Sequence, residues 1–199
     1  MSTSSRDRIL NILRTNVPAQ KPLPSLDEFV NNVPEGDVAT RFIEVVRAIG
    51  GALVEAPDLP TIAHYIEQNY IGKRVVSIVP GLESLTTQPT GEDPHLLADV
   101  ELALINTHFA VAENGACWVT AELLGDRALP FITQQLAMIV RRSSIVPTMH
   151  AAYQKIADGS HPFGTFIAGP SKTADIEQSL VLGAHGPKSL TVFLLNDNQ

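Results

Sequence analysis

A single α/β domain with a central, mainly parallel sheet and a helical N-terminal arm is the fold class that the sequence predicts. Two observations carry it. Between residues 37 and 79, stretches with apolar residues at helical spacing alternate with short apolar runs, the rhythm of a parallel α/β unit. From Val100 onward, β-branched and apolar runs bounded by Gly and Pro follow one another as strands. The chain has 199 residues, of which 44% are hydrophobic and 18% charged, enough apolar material for one core and a length suited to one domain with an appended arm.

Taken in order, Ile9, Leu10 and Leu13 form one stripe of a helix expected to be buried, and the arm runs through the Pro-containing connector to residue 36. Asp7 breaks the acid-free pattern of a mitochondrial address. Residues 37–199 form the α/β domain. Val38, Phe42, Val45, Val46 and Ile49 recur on one face of a helix over Asp37–Ile49, stopped by Gly50 and Gly51. A strand follows over Ala52–Glu55, a helix over Pro60–Asn69 and a strand over Arg74–Val79, closed by Pro80 and Gly81. Residues 86–94 are polar and turn-rich, a surface loop. Further strands are expected over Val100–Leu104, His108–Val111, Ala116–Ala121, Leu136–Val140, Phe163–Ala168 and Ser189–Leu195, with a helix over Pro147–Ile156 and a short one over Asp175–Leu182.

The formal net charge is −7 (14 Lys plus Arg against 21 Asp plus Glu), which disfavours nucleic acid as a partner, because phosphate neutralisation needs a basic face. No apolar run approaches the roughly 18–20 residues of a membrane span, so no membrane partner is expected. The one cysteine, Cys117, cannot form an intramolecular disulfide or hold a cluster or Cys₄ zinc site within this chain, and a reducing, cytoplasmic setting fits. The six histidines lack the i, i+4 spacing of a metal site. No metal and no resident cofactor are therefore expected.

Three segments can carry chemistry. In Ala112–Ala116, Glu113 sits between an apolar run and the tight turn of Asn114 and Gly115. Partial desolvation would suit that carboxylate to acid–base or nucleophilic work; alternatively it only accepts hydrogen bonds from the turn. In Gly169–Glu177, a strand ends at Gly169 and Pro170, and Ser171 or Thr173 precedes the expected helix with Lys172 between them. Free amides at such a helix start, with Lys172 and capped by Ser171 or Thr173, would hold an anion; the alternative is a plain capped helix with Asp175 complementing its dipole. In Gly183–Pro187, His185 stands between glycines, with Gly186 after it, and could exchange a proton near neutral pH or simply bond the main chain. All three segments lie where an element gives way to a glycine-containing turn. They are expected to converge on one cleft at the carboxyl ends of the strands. Arg127 and the Arg141–Arg142 pair can also meet an anion, most such charges being solvated.

The Glu113–Gly115 turn is similar to the Ser-Glu-Asn-Gly signature of CoA transferases, with Ala112 in place of the Ser. Together, the Ala-Glu-Asn-Gly turn, the Ile145–Thr148 stretch, the Gly169–Glu177 run and the Gly183–Pro187 run resemble the lactate-utilisation (LUD) domain family, in its small cluster-free members, over roughly residues 98–195. Asn114 replaces the usual Thr, and the Gln134-Gln135-Leu136 run departs from a Pro-containing approach to the strand. The resemblance implies a fold like ribose-phosphate isomerase, glucosamine-phosphate isomerase and the CoA transferases. It also implies a part in bacterial oxidation of L-lactate to pyruvate beside two iron–sulfur partner proteins, with a small anionic ligand. Site positions follow the motifs: Glu113 and His185 as catalytic candidates, and Asn114, Gly115, Gly169, Pro170, Ser171, Lys172, Thr173, Asp175 and Gly186 around the ligand. Two other functions stay open, an independent enzyme acting on a CoA thioester or phosphorylated metabolite through Glu113, and a non-catalytic ligand-binding or scaffolding module. A homo-oligomer also stays open, as does catalysis by this chain alone.

Overall fold

The structure is a computed structural model, and it describes residues 4–19, 21–22, 24–25, 36–87, 93–156, 159, 161–174 and 180–197. Its centre is a five-stranded, all-parallel sheet of β1 (Ala52–Ala56), β2 (Val75–Ser77), β3 (Leu102–Asn106), β6 (Gln135–Arg141) and β11 (Ser189–Leu195), in the order β1-β11-β6-β3-β2. A second sheet combines β4 (Phe109–Val111), β5 (Ala116–Thr120), β7 (Ile145–Val146) and β8 (Gly164–Ile167) in the order β7-β4-β5-β8. A small antiparallel pair joins β9 (Lys172–Ala174) to β10 (Leu180–Leu182).

Strand periodicity sets the layers. Successive side chains point to opposite faces, so in β6 Leu136, Met138 and Val140 enter one core while Ala137 and Ile139 enter another. The second core packs against α3 (Leu59–Asn69) through Ile62 and Ile66. The first packs against α2 (Val38–Ala48), through Phe42 and Val46, and against the inner face of the second sheet, through Ala110, Cys117 and Val119. The outer face of that sheet, Phe109, Val111 and Trp118, is covered by Ala152 and Met149 of α6 (Met149–Ile156). Gly164 is the residue that Trp118 requires, since a Cβ there would lie 2.4 Å from the indole.

The chain leaves β1 by α3 on one face and leaves β3 and β6 by the second sheet on the other. Connections that diverge to opposite faces open a crevice outside the carboxyl ends of the strands. Thr107 fixes its floor, donating from both its amide and its hydroxyl to the Ile139 carbonyl.

Two expectations are corrected, and two short elements are added. The helix expected over Asp175–Leu182 is not formed where the chain is described: Leu180–Leu182 is a strand paired with Lys172–Ala174, and Asp175 lies outside the described residues. Gly183 N donates to Ser171 O at 3.0 Å and extends this pairing by one residue, a tertiary contact that decides the conformation of Leu180–Leu182 over its local preference. The apolar stripe of α1 (Ser5–Thr15) is not buried, with Ile9 56% and Leu13 59% exposed. Two four-residue helices, α4 (Ala121–Leu124) and α5 (Leu129–Ile132), were not expected, being too short to show a period.

Candidate functional site

Two of the three motifs meet. Gly169, Pro170, Ser171 and Lys172 line a cavity of about 290 Å³ with His185, Gly186 and Pro187. Its walls are the apolar Phe131, Leu136, Phe166 and Leu190. The two runs are stitched together by Ser171 N donating to Pro187 O at 2.9 Å. Gly186 is needed there, because a Cβ would lie 3.1 Å from that of Ser171.

The cavity does not lie at the carboxyl ends of the parallel strands. Leu136 and Leu190 are the second residues of β6 and β11, so it opens at their amino ends, beside the carboxyl end of β8. Its anion-binding rationale also changes. The chain at Lys172–Thr173 is a strand and offers no free helix amides, and the Thr173 hydroxyl donates to Val181 O at 3.3 Å. The Lys172 ammonium donates to the Ile49 carbonyl at the C-cap of α2, where a cation is favourable.

Glu113 does not line this cavity. It is exposed on the β4–β5 turn, and its Oε2 accepts from Met149 N at 2.7 Å, at the start of α6. Asn114 Oδ1 accepts from Ala116 N at 3.1 Å and closes the same turn. Gly115 is buried at φ +69°, its α-carbon facing Ile49, and Gly169 at φ +69° packs on the same residue, with a Cβ there only 3.0 Å from Ile49 O. The Glu113 turn and the Gly169 corner thus converge on the end of α2, by packing rather than around a shared opening. Cys117 is fully buried, which pushes its thiol up to about 12, and it is inert in the core.

At the carboxyl ends lies a second opening that the motifs do not mark. Leu59, Val79, Asn106, Thr107, His108, Ile139, Arg141 and Leu195 are among the residues around a crevice of about 310 Å³. A smaller cavity of about 180 Å³ adjoins it, sharing Leu59, Arg141 and Leu195. His108 Nε2 lies 2.7 Å from Thr120 Oγ1; burial lowers the pKa of the ring, partly offset by Glu122. The sequence signal for Arg141 was its place in the Arg141–Arg142 pair, and the structure separates the two: Arg142 pairs with Glu55, and Arg141 faces the crevice. Among the described residues, no group of three or more His, Cys, Asp or Glu is placed to hold a metal, and no helix is long and apolar enough to cross a membrane.

A layered α/β protein with a parallel central sheet, one face covered by α3 and the other by α2 and a second sheet, is the class that this architecture defines. A crystal structure of a DUF162 family protein from Deinococcus radiodurans shares the fold, with a TM-score of 0.61 at 20% identity, over 81% of this chain and 99% of that one. The LUD domain model matches residues 83–195, more than half of the chain, and the chain belongs to that family. It is similar to "Lactate utilization protein C" of Geobacillus kaustophilus, 26% identical over 97% of this chain and 80% of that protein. It is also similar to proteins of the same name from Bacillus pumilus, 30% identical over 53% of this chain, and Exiguobacterium, 35% identical over 50%. The chain spans about half the length of these last two relatives, 47% and 45%.

Proposed function

We propose that the chain is the cluster-free component of a cytoplasmic L-lactate utilisation system. In this reading residues 37–199 carry the function and the 1–36 arm is accessory. The observation that supports it best is the similarity to a protein named "Lactate utilization protein C" along nearly the whole chain. Oxidation of L-lactate to pyruvate releases two electrons and two protons. In this reading the electrons pass to iron–sulfur partner proteins, and the chain's one cysteine, Cys117, is buried in the core and takes no part. The chain contributes the ligand and docking surfaces: the cavity of Gly169–Lys172 and His185–Pro187, with His185 as its exposed proton-transfer or hydrogen-bonding group, and the exposed Glu113 on the separate β4–β5 turn.

The test is reconstitution with the iron–sulfur proteins that co-purify with the chain, followed by lactate-dependent reduction of a dye. Omission of the chain is expected to abolish turnover. Glu113→Gln, which keeps the size and removes the charge, is expected to lower turnover at least tenfold, about 1.4 kcal/mol, while the thermal midpoint changes little. Turnover that proceeds equally without the chain contradicts the proposed function. Full activity of Glu113→Gln leaves that residue only its bond to Met149.

A further inference from the structure

The carboxyl edge of the parallel sheet holds polar groups that the fold does not use. Arg141 ends β6, and strand alternation puts it on the face of Ala137 and Ile139, toward α3. It lines both adjoining cavities. Other arginines are engaged: Arg142 with Glu55, Arg74 with Asp99, Arg127 over the Phe163 ring. Arg141 has no side-chain hydrogen bond or ion pair among the described residues, and neither does the Asn106 amide. The carboxylates around the crevice are accounted for. Asp58 accepts from Thr61 N and Oγ1 at 2.8 and 2.6 Å, and Glu122 lies 3.9 Å from His108 Nε2.

Arg141, exposed at the strand end, thus presents one permanent cation to a small opening lined by the polar Asn106, Thr107 and His108 as well as by apolar side chains such as Leu59, Ile139 and Leu195. A guanidinium matches a carboxylate with two parallel N–H donors. One permanent positive charge beside a patch of apolar side chains suits a ligand with one acid group and a short carbon skeleton. The volume of about 310 Å³ is at the small end of ligand pockets. We propose that this crevice binds a small organic carboxylate, with the acid group on Arg141, its carbons against Ile139 and Leu195, and a second polar group on the Asn106 amide. Binding here is independent of the lactate-utilisation proposal, which rests on relatives and on the opposite edge of the sheet.

Isothermal titration calorimetry of the full chain at constant ionic strength tests it, with propionate, pyruvate, L-lactate and inorganic phosphate as probes. At least one of the three acids is expected to bind saturably at millimolar or better affinity. Arg141→Gln is expected to weaken it at least tenfold and Asn106→Ala about threefold for pyruvate or lactate, whereas Arg127→Gln stays within about twofold. Arg141 is exposed at a strand end, so its variant should fold; should it not, Asn106→Ala decides. Three results overturn the proposal: no saturable binding of any of the acids, binding of phosphate alone, or unchanged affinity in Arg141→Gln. Binding of propionate or pyruvate through Arg141 without lactate supports the crevice and counts against lactate as its occupant.

Discussion

At the amino ends of β6 and β11, the conspicuous motifs hold the fold together. Lys172 meets the last carbonyl of α2, Ser171 ties β9 to the Pro187 turn, and Glu113 holds the start of α6. At the carboxyl ends of the same strands, around an opening of similar size, Arg141 and Asn106 have no such duties among the described residues. The difference teaches that a motif legible along the chain and a site available to a ligand are separate properties. Glycines at positive φ and short hydrogen-bonded turns mark places where backbones approach closely, whereas polar groups left unengaged mark places where something else can bind.

The largest effect that can break this comparison is at the Gly169 corner. Gly169→Val places a β-branched side chain at φ +69° with its Cβ about 3.0 Å from the Ile49 carbonyl. Backbone strain and overpacking together are expected to cost about 3 kcal/mol in urea unfolding. A loss below about 1 kcal/mol would mean that the amino edge is not the tightly packed corner described. A smaller effect is expected for Lys172→Met, which removes the cation from the end of α2 and keeps the side-chain volume. The expected loss is about 0.5–1 kcal/mol, with carboxylate binding at the other edge unchanged. A drop in that binding would join the two edges into one site.

The smallest effect concerns Asp58, which sits beside Arg141 but is turned to Thr61. Its side-chain and backbone hydrogen bonds from Thr61 hold its carboxyl below the ordinary value of 3.8. A depressed folded value means that its stabilisation is present above the unfolded value and is lost as pH falls through the folded one. The thermal midpoint is therefore expected to decline below about pH 4, and less so in Asp58→Asn, which still caps α3. The same variant sharpens the comparison. If Asp58 were neutralising Arg141, its removal would tighten carboxylate binding strongly, whereas binding within about twofold of wild type is expected.

Much of the architecture was legible because burial imposes a period. Leu136–Val140, Ala116–Thr120 and Ser189–Leu195 read as strands from their apolar runs, and α2 and α3 read as helices from Phe42, Val46, Ile62 and Ile66. The two-residue β7 and the β9–β10 pair were less legible. Two- to four-residue elements carry no period, and the pairing of Lys172–Ala174 with Leu180–Leu182 is a tertiary event that local helix signals oppose. Of the candidate site, the approach of Gly169–Lys172 to His185 was readable from glycine-bounded turns. The carboxyl-edge group was not, because Asn106, His108 and Arg141 stand on separate strand ends and only the sheet order brings them together.

The most direct test of the difference between the two edges is an amide NMR titration of the ¹⁵N-labelled chain with whichever organic acid binds best. Shifts are expected to concentrate at Leu59, Asn106–His108 and Arg141, and to leave Gly169–Lys172 and His185–Lys188 near their free positions. Shifts confined to the Gly169 and His185 runs, with Asn106 and Arg141 unmoved, would contradict the account and return the ligand to the amino edge.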